Sequence, residues 1–135
     1  MTEEDLKKRT KLFALRVLKL VAALPNNVAG WIGNQVARSA TSVAANYRAA
    51  CRARSKIEFI SKLGIVEEEA DESALWLELI FESNLMKRIM VEPLWKEANE
   101  IVAIITSSRK TASRSVVALP RRPARHAIKN RKSKI

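Results

Sequence analysis

Histidine and cysteine each occur once in the 135 residues, as His126 and Cys51. A lone cysteine forms no internal disulfide, and a lone histidine leaves no zinc finger and no ferritin-type di-iron site. Only 3 glycines and 4 prolines are present, too little punctuation for many short strands that each need a turn. Aromatics make up 5% of the chain. Phe13, Phe59 and Phe81 fall on expected core stripes, so no aromatic platform for base stacking is expected. The longest uncharged stretch, Leu20 to Ala37, carries Pro25, Asn26, Asn27, Gly30, Gly33, Asn34 and Gln35, which a membrane span does not tolerate together. The first residues, Met1-Thr-Glu-Glu-Asp-Leu-Lys-Lys, put acids where a signal peptide has its basic region. A cytoplasmic protein with no membrane partner is expected, and a reduced thiol is ordinary there.

What remains is an ordinary globular composition, 47% apolar and 29% charged, with a formal net charge of +11. The excess is local. Residues 109–135 hold Arg109, Lys110, Arg114, Arg121, Arg122, Arg125, Lys129, Arg131, Lys132 and Lys134 and no acid. Fifteen of the 25 cations are left to face all 14 acids in residues 1–108. The expected organisation is a bundle over 1–108 and a basic C-terminal tail over 109–135, disordered when free because it buries too little to offset chain entropy. Such an arm suits a polyanion, with a plain solubility tail as the blander reading. His126 within it is one more solvated polar group.

Four helical patterns account for the body. Thr2 is placed to cap the amide of Asp5, and Leu6, Phe13, Val17, Leu20 and Leu24 recur at helical spacing, with Leu12, Leu15 and Leu18 widening the stripe. Pro25-Asn26-Asn27 ends this helix and starts a second, to about Ala53. One line of it, through Gln35, Ser39, Ser42 and Asn46, is a polar seam of small residues that brings helices close. Its burial requires hydrogen-bond partners, within the chain or across a subunit interface. The adjacent line is Gly33, Val36, Ala40, Val43, Tyr47 and Ala50. Ser55 and Glu58 form a capping box for a third helix carrying Phe59, Leu63, Val66, Ala70, Leu77 and Ile80 or Phe81, to Ser83-Asn84. A fourth, around Pro93, contributes Leu94, Ala98, Ile101, Val102 and Ile105 and fades at Ser107-Ser108.

The expected fold is all-α, an antiparallel up-down-up-down four-helix bundle. That topology gathers the start of the first helix, the end of the second, the start of the third and the end of the fourth at one pole. Lys7, Lys8, Arg9, Lys11, Arg48, Arg52, Arg54, Lys56, Lys62, Arg109 and Lys110 lie toward it, and the acids lie nearer the other end. A phosphate backbone is attracted to such a pole. The candidate nucleic-acid-binding set is Arg48, Arg52, Arg54, Lys56 and Lys62 together with the ten cations of the tail.

The run from Gln35 to Val66 resembles the four-helix-bundle family of 23S rRNA intervening-sequence proteins. It is most specific at Arg38-Ser39, Ser42, Asn46-Tyr47 and Arg52-Ala-Arg-Ser-Lys56, with Glu69-Ala-Asp-Glu and Trp76-Leu-Glu-Leu following. The likeness extends over about residues 10–113. It implies a homo-oligomeric ring of five subunits with a basic surface, and a related branch comprises the accessory, variability-determinant proteins of diversity-generating retroelements, which bind a reverse transcriptase and its template RNA. Ala49 stands where an acid is common after Asn-Tyr-Arg, and the basic tail is long. Both departures favour a specialised RNA partner.

The leading expectation is therefore a non-catalytic, oligomeric RNA-binding protein, with a reverse transcriptase as a protein partner. The alternatives are a ribosomal-RNA-associated intervening-sequence-type protein, or an interaction scaffold without direct RNA binding. Trp31, Trp76 and Trp95 are expected in the core; one left exposed marks a docking surface. No catalytic residue, cofactor or metal is assigned. Glu67-Glu68-Glu69-Ala-Asp71-Glu72 has cation-holding spacing, but a solvated face or ion pairs to Arg38 or Arg48 account for it better. Cys51 has arginine neighbours able to lower its pKa, yet no base partner, and is read as a small packing residue.

Overall fold

The computed structural model describes residues 1–118, apart from the side chains of residues 26–29, 117 and 118. These residues form four helices and no strand: α1 (Glu3–Ala22), α2 (Asn26–Cys51), α3 (Lys56–Glu82) and α4 (Arg88–Ala118). Local chemistry sets their ends. The Thr2 hydroxyl accepts from the Asp5 amide and the Asp5 carboxylate accepts from the Thr2 amide, both at 3.0 Å, beside a first turn of three acids that complements the helix dipole. Ser55 accepts from the Glu58 amide at 3.0 Å as expected. The return bond differs: Glu58 Oε1 accepts from the Arg54 amide, one residue before the cap. At the end of α3, Asn84 takes a positive φ of 62°, and the Asn84 and Leu85 amides donate to the carbonyls of Phe81 and Ile80. This is a Schellman closure in which asparagine replaces the usual glycine.

Each helix packs on its chain neighbours, and α1 closes more thinly on α4. Trp31 of α2 meets Trp76 of α3, and Ser39 meets Ser73. Phe81 of α3 meets Trp95 of α4, and Glu67 meets Arg109. In both helix pairs residue numbers rise on one member as they fall on the other.

Phe13, Val17, Val36, Val43, Leu63, Leu77, Ile80, Ile101 and Ile105 are fully buried in one continuous core. Removing each such side chain from water contributes about 1.5–3 kcal/mol before entropy is charged against it. The α2 line through Val36, Ala40, Val43, Tyr47 and Ala50 is the one that faces this core.

Three expectations about burial and helix length need correction. Leu12, Leu15 and Leu18 do not widen the α1 core stripe; they are 55%, 52% and 44% exposed, because the two neighbours cover only the arc centred on Phe13 and Val17. Trp31 is 64% exposed, touching Trp76 edge-on at 5.4 Å instead of entering the core. The fourth helix does not fade at Ser107-Ser108. It runs to Ala118: Ala112 continues the buried stripe of Ala98, Ile101 and Ile105 two turns on, and Arg109 is anchored on Glu67. Pro93 sits inside α4, on an exposed face, where its ring removes one intrahelical hydrogen bond. No helix among the described residues is long and apolar enough to cross a membrane.

Candidate nucleic-acid interface

Side-chain direction on a helix advances about 100° per residue, so neighbouring cations meet different surroundings. Arg9 turns toward α4. Its Nε and Nη2 donate to the two carboxylate oxygens of Glu97 at 2.7 and 2.9 Å, and Nη2 reaches Glu100 at 2.5 Å. These hydrogen bonds, Glu97's first, hold the guanidinium above its ordinary pKa. Arg38 on α2 is tied to Glu72, and lies 3.4 Å from Glu69. Glu72 also accepts from the Trp76 indole at 3.1 Å. The acidic run on α3 is thus partly spent on Arg38, while Arg48 takes no part. Among the described residues no three histidine, cysteine or carboxylate groups gather into a metal-holding cluster.

The eight described members of the candidate set divide sharply. Arg109 donates to Glu67 at 2.8 Å, which pulls the Glu67 carboxyl below its usual range. Arg54 lies 3.6 Å from Glu58 one turn on, in an exposed pair. Arg48, Arg52, Lys56, Lys62, Lys110 and Arg114 have no carboxylate within 4.0 Å among the described residues. Arg109, Lys110 and Arg114 ride on the last turns of α4 and so are not part of a tail. Arg121, Arg122, Arg125, Lys129, Arg131, Lys132 and Lys134, with His126, lie outside the described residues.

Lys7, Lys8 and Lys11 of α1 and Arg48 of α2 line one depression of about 570 Å³, with Glu4, Thr41, Ala14, Ala44 and Ala45 completing its walls and floor. The positions of the helix ends predict these cations at one pole but not the depression, which arises because alanine occupies three facing positions. The i, i+1, i+4 spacing of Lys7, Lys8 and Lys11 opposite Ala44 and Ala45 is the available signal.

Three members of the polar seam, Ser39, Ser42 and Asn46, find partners within the chain. Ser39 and Ser73 are both fully buried with their hydroxyls 2.8 Å apart, and Ser73 donates onward to the Glu69 carbonyl at 2.9 Å. Asn46 turns back to the Ser42 carbonyl and hydroxyl, both at 2.9 Å. Gln35 is half-buried beside them. Cys51 is half-buried next to Tyr47, and burial pushes its thiol pKa up, the opposite of the lowering that its arginine neighbours suggest.

Fold and surface together define a class: a small protein, all-helical among the described residues, in which Arg9, Arg38 and Arg109 brace helix to helix and other cations stay unpaired where the start of α1, the end of α2 and the start of α3 meet. The chain belongs to the 23S rRNA-intervening sequence protein family, whose model matches residues 3–107. Among solved structures, it is similar to a protein of unknown function from the S23 ribosomal protein family of Bacteroides thetaiotaomicron. The two are 34% identical, with a TM-score of 0.71, over 77% of this chain and 97% of that one. No match is found among curated proteins.

Proposed function

We propose that this chain is a non-catalytic RNA-binding protein of the cytoplasm, an antiparallel up-down-up-down bundle that assembles as a ring of five and grips RNA by its cationic end. The observation that carries the reading is the division of charge: six of the eight described candidate cations have no carboxylate within 4.0 Å among the described residues, although carboxylates are plentiful on α3 and α4. A cation left free keeps its full attraction for phosphate, and repetition around a ring multiplies weak contacts through effective concentration. Family membership supports an association with RNA.

Ring assembly is supported by two dissimilar apolar surfaces. Leu12, Leu15 and Leu18 line the outside of α1; Leu75 and Leu79, 49% and 39% exposed, stand on α3, which does not pack on α1. Unlike patches on non-adjacent helices suit a head-to-tail interface, which makes a ring when its rotation closes. The exposed Trp31 favours an additional protein partner, which in a retroelement accessory protein is a reverse transcriptase.

The test is retention of labelled RNA by the full chain at about 50 and about 200 mM salt, where a protein with six or more phosphate contacts loses at least ~10³-fold in affinity on duplex targets and somewhat less on single strands. Absent or salt-independent retention removes RNA binding and leaves the scaffold. Sedimentation of the wild type against Leu15→Lys tests the ring: a pentamer that dissociates supports it, and a wild-type monomer overturns it.

A further inference from the structure

The cationic depression between α1 and α2 is built as a trough. Lys7, Lys8 and Lys11 follow one flank of α1 over about one turn, and Arg48 stands opposite on α2. Ala14, Ala44 and Ala45 present nothing beyond Cβ along the bottom, and Thr41 turns its hydroxyl hydrogen back to the Ala37 carbonyl at 2.8 Å. Lys8, Lys11 and Arg48 are exposed, with no carboxylate within 4.0 Å among the described residues. Lys7 meets Glu4 at 3.4 Å, an exposed pair on the same helix that holds its charge only weakly. Arg9, in the middle of the same segment, is removed from the surface field by Glu97 and Glu100. The charge of α1 is therefore sorted, with the bracing cation on one side of the core stripe and the unspent ones on the other.

The volume, about 570 Å³, is within the roughly 300–1,000 Å³ of ordinary ligand sites, but the donors do not converge on a point as they do around a small anion. Lys11 stands about 4.5–6 Å along α1 from Lys7 and Lys8, and Arg48 lies across on α2, so the charges are spread along and across the trough, which suits successive charges on a chain. No aromatic side chain lines the trough, so bases find no stacking partner and the readable feature is the backbone. Neighbouring helix axes lie about 8–10 Å apart, which admits a strand and leaves a duplex on the rim.

We infer that the α1–α2 trough, through Lys7, Lys8, Lys11 and Arg48, seats the phosphodiester backbone of a single polynucleotide strand without regard to sequence. This rests on the nucleic-acid reading above and locates its site on the body of the protein.

The experiment measures fluorescence anisotropy of a labelled oligouridylate with the full chain, its Lys8→Gln/Lys11→Gln/Arg48→Gln variant, and a Lys87→Gln/Lys96→Gln control. Each single-strand phosphate contact contributes about 0.7 to the salt slope, so three lost contacts lower the slope by about 2 and weaken binding on the order of 100-fold at about 0.1 M salt. The control stays within about threefold of the wild type. If the wild type binds and the trough variant matches it, the trough assignment is overturned while RNA binding stands. If the wild type itself does not bind, both readings fall. Acetylation of the wild type gives an independent check: oligouridylate protects Lys8 and Lys11 relative to Lys87 and Lys96, and equal labelling overturns the proposal. Displacement by polyaspartate at matched charge, as effective as by oligouridylate, also overturns it, because the trough then accepts any polyanion.

Discussion

Replacing Arg9 by methionine separates bracing cations from binding cations. Methionine keeps an apolar stem along α1 but removes the fork that holds both Glu97 oxygens and reaches Glu100. The Arg9 and Glu97 side chains are 24% and 16% exposed, so their paired bonds act in a partly shielded site; Glu100, at 64%, is screened by water. Hydrogen bonds to charged groups contribute about 1.5–3 kcal/mol where protected, and exposed pairs about 0.2–1 kcal/mol. The expected loss is about 2 kcal/mol, felt at the α1–α4 seam where packing is thinnest. For a domain of this size that lowers Tm by roughly 8 °C. Thermal melts followed by circular dichroism read the loss, and the same protein titrated with labelled oligouridylate keeps its affinity within about threefold. The reasoning is refuted if Arg9→Met melts with the wild type and binds as poorly as a trough variant, because Arg9 is then a binding cation and the sorting of charge on α1 is wrong.

A double-mutant cycle at Ser39 and Ser73 tests the seam between α2 and α3. Each alanine substitution costs about 1 kcal/mol in urea denaturation, and the double variant costs less than the sum by about 0.5–1 kcal/mol, since the shared hydroxyl–hydroxyl bond is lost only once; strict additivity refutes the coupling. Glu67→Gln tests the Arg109 pair through pH. The Glu67 carboxyl is depressed below its ordinary 4.5, so its stabilisation is complete above pH 4.5 and is lost as pH falls through the lower folded value. The gap between wild type and variant therefore narrows on acidification, and a constant gap in melts from about pH 6 to about pH 3 refutes the pair. A Cβ built on Gly64 meets nothing within 4 Å, so Gly64→Ala raises stability by about 0.5–1 kcal/mol; a lowered Tm means that this face is occupied.

Most of the fold is legible because apolar periodicity and capping act over one or two turns. The stripe of Leu6, Phe13, Val17, Leu20 and Leu24, the Thr2 cap and the stop at Ser83-Asn84 all follow from residues close in sequence, and all occur. The failures share a cause. Whether Leu12, Leu15 and Leu18 are covered depends on how far α2 and α4 wrap around α1. Trp31 depends on the exit angle of α2. The extension of α4 beyond Ser108 depends on Glu67, more than forty residues away in the chain, holding Arg109. Periodicity gives the direction of a stripe; only the neighbouring helix decides its width and length.

The same limit governs the candidate site, and it explains why counting charge at a pole was too coarse. Lys7 and Arg9 are two residues apart, hence about 160° apart around α1 by the shorter way. On opposite flanks of the core stripe, one looks over α2 and the other over α4. What each becomes is set by those helices: α2 offers Thr41, Ala44, Ala45 and Arg48, with no carboxylate, and α4 offers Glu97 and Glu100. Identical formal charges thus end as a brace and as a free cation. If carboxylates stood at positions 44 and 45, Lys8 and Lys11 would be spent as Arg9 is, with no change in where the helices begin and end. Ala44→Glu/Ala45→Glu is therefore expected to abolish oligouridylate binding while raising or preserving Tm, since both positions look outward from the core. Binding that survives this substitution places the strand elsewhere on the protein.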